Sequence, residues 1–415
     1  MSSRGALARF LLVVAAIAVG LAWWGGWALP VVIIALLVMI MGHEWGHYIT
    51  ARRAGLLVTD FFVGFGPVVW STTRGETRYG VRLLPLGGYV KVPGMTWRDE
   101  VDPAIEARTY RRASYPRKVL FASAGSLMHV VMALVLAWAS LALVGLPSAN
   151  HVGVAGFTHF DGLARNAAQA AGLRVGDRIV AVDGRTVTDA NVLVALVHDH
   201  AGRPVRLTIE RGGETLHLVA TPMDGRHLKI GGVSVATGAT PVGYLGISLV
   251  DQVARQSALA AIPAAGARVW GVFTASLHGI AHVFSPGEFS SLFHQVTSAR
   301  AASNPTAQLN RPQSIVGVVR IAVQGSQLGP GVLLAILMAV NIFVGVLNMV
   351  PILPLDGGYV AVATYERLRS RRGQPYRADV TKLNPVIYAF MAVLLVLFAS
   401  TLYLDIVHPI ANPFQ

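Results

Sequence analysis

The chain of 415 residues contains no cysteine. Disulfides, thiolate metal sites and cysteine nucleophiles are therefore excluded. Charge is scarce as well: 13% of residues are Asp, Glu, Lys or Arg, against about 25% in a typical soluble domain. Acidic residues are the scarcer sign, 21 against 34 Lys and Arg, for a net charge of +13. No interleaved aromatic and basic stripe accompanies that excess, so nucleic acid is not an expected partner. Arg- and Lys-rich cytoplasmic loops of a membrane protein account for it.

What is present is apolar: 53% of residues are hydrophobic. The run from Phe10 to Gly42 has no charged side chain. As one helix it would span roughly 50 Å, longer than a hydrocarbon core of about 30 Å. Gly25-Gly26 and Pro30 mark where it divides, into segments near 9–24 and 28–49. The first reads as a retained helix. A cleaved signal peptide is the alternative, given Arg4 and Arg9 before the apolar stretch and small residues after it. Further apolar stretches lie near 119–144, 332–350 and 386–404. Thr50 to Lys118 holds twelve Lys and Arg against six Asp and Glu, and the loop "YERLRSRRGQPYR" is also basic. Both are expected in the cytoplasm, which places the long segment between Pro147 and Pro330 outside.

Ionisable groups are costly in an apolar helix, yet "MGHEWGHYITARR" puts three at its end. Residues i and i+4 share a helix face, so His43 and His47 point the same way. Two neutral imidazoles at that spacing hold one Zn²⁺, and Glu44 beside them takes a proton from its water. Zinc lowers the pKa of that water to about 7. Surface polar residues near headgroups are the bland alternative. A catalytic zinc also needs a third protein ligand, and the best candidate is Asp356 in "NIFVGVLNMVPILPLDGGYV". Pro351 and Pro354 must break that apolar helix, and broken backbone at membrane depth needs protein or a wet cavity around it. In isolation Asp356 reads equally as a helix cap. Asn341 and Asn348 share a helix face, placed either to hold substrate or to bond neighbouring helices.

"VTDFFVGFGPVVWSTTRGETRYGVRLLPLGGYVKVPGM" reads as strands, a sheet at the membrane edge. "AAQAAGLRVGDRIVAVDGRTV", with the helix "DANVLVALVHDH" and two strands joined by Gly-Gly, resembles a PDZ domain. Such domains add a peptide strand to an exposed edge and capture termini. A mere plug or spacer is the alternative. Residues 252–300 read as amphipathic helices, lying on the outer membrane surface or packed as an ordinary pair.

"HEWGH" and "NMVPILPLDGG" together resemble the site-2 protease family of intramembrane zinc metalloproteases. The resemblance covers nearly the whole chain after residue 28. It is closest to the bacterial branch with an inserted PDZ domain, the regulator-of-sigma-factor type, actinobacterial and mycobacterial members in particular. It implies that His43, His47 and Asp356 ligate Zn²⁺, Glu44 is the general base, and Asn348 helps bind substrate, with Asn341 a weaker candidate. The sheet would pair with an unwound substrate. That substrate would be a pre-trimmed single-pass membrane protein, typically an anti-sigma factor, and the PDZ domain would filter or sense, taking peptide or protein termini. Two departures stand out. Where many relatives have Gly-Pro-x-x-Asn the chain has "GSLMH", with Ser126 and His129, and the N-terminal segment is extra. A metal transporter would scatter ionisable residues over several helices, and a dead scaffold would lose one of the four key residues.

The expected fold is a polytopic α-helical membrane protein in the lipid bilayer, with four or five transmembrane helices, a membrane-edge β-sheet and an inserted extracytoplasmic α+β PDZ domain. Residues 1–27 form the extra apolar segment, 28–55 the helix with HEWGH, 56–118 the cytoplasmic sheet loop and 119–146 the next helix. The PDZ domain takes 147–240 and an extracytoplasmic amphipathic helical linker 241–330. Residues 331–364 carry NMVPILPLDGG across the membrane, 365–384 form a basic cytoplasmic loop, 385–405 the last helix and 406–415 an outer tail.

Overall fold

The computed structural model describes residues 5, 12, 15–23, 26–95, 99–230, 233–236, 238, 240–304, 308, 311–371, 374 and 376–410. Most of the N-terminal segment 1–14 and the tail residues 411–415 lie outside them; residues 15–23 are helical. The chain divides into two compact units, one made of residues 1–140 with 258–415, the other of Leu141–Ser257.

The first unit is built on apolar helices. Helix α1 spans Ala28–Arg53, and α2 spans Tyr115–Ala139, running on to Val144 by a π-helical turn. Between them, β1 (Asp60–Arg74) and β2 (Thr77–Lys91) form an antiparallel hairpin whose register shifts repeatedly. Each such bulge bends a strand, so the hairpin curls instead of lying flat. Helices α3 (Ala261–Val283) and α4 (Pro286–Thr297) follow the second unit, then α5 (Ile315–Ser326) and α6 (Pro330–Asn348). The chain ends in α7 (Asp356–Arg369) and α8 (Asn384–Val407). Among the described residues four helices are long and apolar enough to cross a membrane: Ala28–Arg53, Tyr115–Val144, Pro330–Asn348 and Val380–Val407.

Packing sets their directions. At one end of the bundle Val32 of α1 packs with Ala322, Leu333 and Leu337, and Ser140 donates to the Gly331 carbonyl at 3.0 Å. At the other end Lys118 near the start of α2 pairs with Glu366 of α7 at 2.8 Å. Helices α1 and α6 therefore start at the same end, and α2 runs antiparallel to both. The buried Arg311–Asp405 pair, 2.8 Å apart, with Asp405 also accepting from the Ser314 amide at 2.7 Å, ties α8 to the chain entering α5.

The linker expected over 241–330 is corrected in its first part, which is not helical: Ile247–Ala254 is a strand of the second unit. Its helices lie beside the apolar helices of the first unit. Trp138, near the far end of α2, donates to the Ala258 carbonyl at 3.0 Å, so α3 starts there. From there α3 descends against α2 and α6 until Phe284 stacks on Phe390 near the start of α8. Helix α4 returns along α8, where Leu292 and Ala302 pack with Leu397 and Leu404. Arg268 and the histidines 278 and 282 dilute the hydropathy of α3, while Ala261, Ala265, Val269 and Ser276 form its buried face.

The second unit holds β3 (Leu146–Phe157), β4 (Arg178–Val182), β5 (Val205–Arg211), β6 (Glu214–Ala220) and β7 (Ile247–Ala254). Their order in the sheet is β7-β3-β4-β5-β6, with the two-residue strand Arg185–Thr186 paired to β4. Alternation in β5 buries Val205, Leu207 and Ile209 against Ile179 and against Leu193 of the helix Ala190–His198. Gly212 and Gly213, both at positive φ, close the two-residue turn between β5 and β6, as the twist of a hairpin requires. The entering and leaving strands, β3 and β7, are neighbours, as suits a domain inserted into another.

Asp177 is 1% exposed in this unit and bonds bidentately to Arg211 at 2.6 and 2.7 Å and to the Arg174 amide at 2.7 Å. Burial pushes its carboxyl up, but Arg211 and the amide outweigh that and hold it below the usual carboxylate range. Its stabilisation is therefore full above the unfolded carboxylate value, about 3.9, and is lost as pH falls through the lower folded value. Asp177→Ala is expected to cost about 2–3 kcal/mol at pH 7, read as a lower urea midpoint by limited proteolysis of this unit. The gap to the unsubstituted chain should narrow at pH 3; a gap that widens there would contradict this account.

Candidate metal centre

The last turns of α1 carry His43, Glu44 and His47. Close packing of α1 on α2 brings them to a backbone. A Cβ on Gly46 would lie 2.6 Å from the Ala124 carbonyl oxygen, and one on Gly42 would lie 2.5 Å from Met132 Sδ. Only a small-x-x-x-small face lets two helices approach so nearly. Across the contact sits Gly125 of α2, whose Cβ would be 2.3 Å from His43 Cε1 and 2.5 Å from His47 Nε2. The spacing of the motif does not reveal this glycine, because it depends on where two distant helices cross.

The third member arrives through the break after α6. Pro351 and Pro354 end that helix, and residues 349–355 form tight turns with the Ile352 amide on the Val350 carbonyl at 2.8 Å and the Leu355 amide on the Ile352 carbonyl at 3.0 Å. Gly357 and Gly358 then lie inside α7. Added Cβ atoms there would meet the Met349 carbonyl oxygen at 2.2 Å and the Leu353 nitrogen at 2.4 Å. Their role is thus close approach to the break; the tight turn read from the sequence falls in the residues before them. Leu355, not Asp356, is the N-cap of α7, so Asp356 is not spent on capping.

His43 Nε2, His47 Nε2 and Asp356 Oδ2 converge: the nitrogens are 3.2 Å apart, and the oxygen is 3.5 Å from His43 and 3.3 Å from His47. Ligands about 2.1 Å from a tetrahedral Zn²⁺ sit about 3.4 Å from one another, so the three atoms outline one face of that tetrahedron. Among the described residues Asp356 Oδ2 is buried without a hydrogen-bond partner, as a ligand oxygen would be. His47 Nδ1 donates to the Phe121 carbonyl at 2.8 Å. That fixes the tautomer, leaving the Nε2 lone pair for metal, and orients the ring. Among the described residues this is the group of histidines and carboxylates whose donor atoms fall within 4.8 Å. The residues present fit zinc, with one coordination position left open.

Glu44 lies under β2. A Cβ on Gly88 would be 2.9 Å from Glu44 Cγ and 3.5 Å from Met41 Sδ, so the strand backbone passes directly over the carboxylate-bearing side chain. The two asparagines part company. Asn341 is 3% exposed, its Oδ1 accepting from His129 Nδ1 at 3.0 Å and its Nδ2 donating to the Leu337 carbonyl at 3.1 Å. Asn348, the last residue of α6, is half-buried, and its amide makes no hydrogen bond among the described residues. His129 is buried beside His43, ring centroids 5.1 Å apart, and its bond to Asn341 holds α2 to α6.

The chain matches the model of peptidase family M50 over residues 31–397. It is 32% identical over 403 residues to zinc metalloprotease Rip1 of Mycobacterium tuberculosis, covering 91% of this chain and 96% of that one. The Mycolicibacterium smegmatis Rip1 is 30% identical over 406 residues, 91% of this chain and 97% of the relative. Metalloprotease MmpA of Caulobacter vibrioides is 27% identical over 374 residues, 83% and 87% of the two chains. The breadth of these matches, together with the zinc-fitting triad, makes this chain a multi-pass membrane zinc metalloprotease of peptidase family M50, the site-2 protease family.

Proposed function

We propose that the chain hydrolyses a peptide bond within the membrane span of a single-pass protein, with His43, His47 and Asp356 as zinc ligands and Glu44 as general base. The observation that carries this reading is the spacing of the three donor atoms, 3.2 to 3.5 Å. When bound, zinc supplies an activated water and Lewis acidity toward a carbonyl. Glu44 accepts the proton that the attacking water loses and passes it to the amine released when the C–N bond breaks. Asn348, with its unengaged amide, serves the substrate backbone; Asn341 is occupied by His129 and serves helix packing.

A helical substrate hides its amides, so it must unwind before attack. The β1–β2 hairpin offers strand backbone for the unwound segment, and Gly88 brings that backbone over Glu44. The second unit reads as a PDZ domain. A groove of about 320 Å³ runs between the helix Ala190–His198 and the segment 243–249, lined by Leu193, Val197, Tyr244 and Ile247. An apolar peptide terminus fits such a groove. By the charge of the loops, the metal centre lies near the cytoplasmic face and the PDZ unit outside. A substrate with its outer domain already trimmed, of the anti-sigma-factor kind, would pass the filter. In reconstituted vesicles, a single-pass reporter with a trimmed ectodomain is expected to be cut at least tenfold faster than its untrimmed form. Equal rates would remove the size filter from this reading, and no cutting of either with zinc present would remove intramembrane hydrolysis.

A further inference from the structure

Away from the metal centre, the far end of α7 opens into a basin of about 1010 Å³. Six cationic side chains and one carboxylate line it. The carboxylate, Glu366, is committed: it pairs with Lys118 at 2.8 Å and accepts from the Ala378 amide at 3.1 Å. Arg111 and Arg112 hold Glu106. Arg367, Arg371 and Arg377 form no ion pair among the described residues, yet all three face one cavity. Like charges gathered this way repel one another unless an anion sits among them.

Hydrogen bonds tie down the described residues beside Arg371 and Arg377. The Tyr376 amide donates to Ser370 Oγ at 2.9 Å, and Arg371 and Gln374 exchange backbone bonds at 3.2 and 3.0 Å. Arg369 lies over the rings of Tyr365 and Tyr376, 5.8 and 5.5 Å from their centroids. Glu366 adds a third tether through Ala378. A loop free to relax would separate its cations; these contacts keep them convergent.

We propose that this basin binds the phosphate-bearing headgroup of an anionic membrane phospholipid. Guanidinium groups match phosphate oxygens in pairs. Tyr115, which opens α2, lines the basin, and Asn384, where α8 begins, lines the cavity beside it; these are the ends at which two apolar spans would leave the membrane. Headgroups lie at that level, and basic clefts between spans hold them there. A narrower cavity of about 210 Å³ shares Arg111, Lys118, Glu366 and Arg377 with the basin and is walled farther in by Leu353, Val362 and Ile387. Its apolar wall suits the glycerol and first methylenes behind a phosphate. Helix α7 spans from Asp356 to Arg369, so a lipid gripping Arg367 also restrains the helix that presents Asp356.

The test uses the full-length protein in phosphatidylcholine nanodiscs with phosphatidylglycerol titrated in, reading melting temperature and bound lipid by native mass spectrometry. A saturable rise in melting temperature is expected. The Arg371→Gln/Arg377→Gln double variant should need at least tenfold more phosphatidylglycerol for the same shift, while Arg185→Gln, exposed in the other unit, should behave as the unsubstituted chain. Equal responses from all three would overturn the proposal. Inorganic phosphate at matched concentration separates a soluble anion from a lipid; if it reproduces the shift and competes the lipid away, the lipid assignment fails. The same holds if an acidic peptide binds the basin and phosphatidylglycerol does not. None of these readouts involves cleavage, so they stand or fall apart from the proteolytic mechanism.

Discussion

Glu44→Gln is expected to abolish cleavage while leaving zinc in place. Glutamine keeps the shape of the side chain that packs under Gly88, so the packing of β2 on α1 survives. None of the three converging donor atoms belongs to Glu44, so zinc stoichiometry should stay at one per chain. What is lost is a proton acceptor, and general acid–base catalysis is worth about 10²–10⁴ in rate. Metal analysis and a reporter cleavage assay on the same preparation separate the two effects. Asp356→Ala is the contrasting variant: it removes the oxygen 3.3 Å from His47 Nε2 and should lose zinc and activity together. Full activity in Glu44→Gln would sink the assigned base, and full zinc in Asp356→Ala the assigned ligand.

The second large effect is expected from a single methyl group. Gly125→Ala places a Cβ 2.3 Å from His43 Cε1, 2.5 Å from His43 Nδ1 and 2.5 Å from His47 Nε2. Real carbon contacts do not come that close, and here no flexible side-chain end can yield: both neighbours are imidazoles fixed on α1. Either the rings rotate or α1 and α2 part by most of an ångström, and in both cases the tetrahedral face is spoiled. Losing the orientation of metal ligands costs about 10–100-fold in affinity. Zinc affinity measured by chelator competition should fall by at least that much. Gly271→Ala in α3 is the matched control, since nothing lies within 4 Å of its added Cβ. An unchanged zinc affinity in Gly125→Ala would show that the crossing is looser than these distances state.

The three residues that converge were legible in the sequence because each carries a local mark. His43 and His47 are one helical turn apart, and Asp356 stands among prolines that no membrane helix tolerates without cause. Gly125 and the Phe121 carbonyl were not legible, because nothing near them says which face of α2 meets α1. Asn341 and Asn348 looked equivalent by spacing; only the position of His129 on another helix separates them. Two boundaries escaped for a related reason. Strand β7 pairs with β3, about ninety residues earlier by sequence, so its own composition carried no mark of its partner. For α3, amphipathic periodicity left open a helix on the outer membrane surface or an ordinary packed pair; its contacts with α2 and α6 belong to neither reading, because periodicity does not name the partner helix.

The α3–α4 hairpin also imposes an order of assembly. It falls short of the apolarity of the four spans, with Arg268 and two histidines on α3. Among the described residues, α2 precedes it, while its partners α6 and α8 are made later. Phe284 has no Phe390 to stack on until the last helix has been synthesised. The hairpin must therefore wait in a half-covered state, and its insertion is completed backwards, by the helices that follow it. Asp356, which faces His43 and His47 across the metal centre, is likewise made after the hairpin.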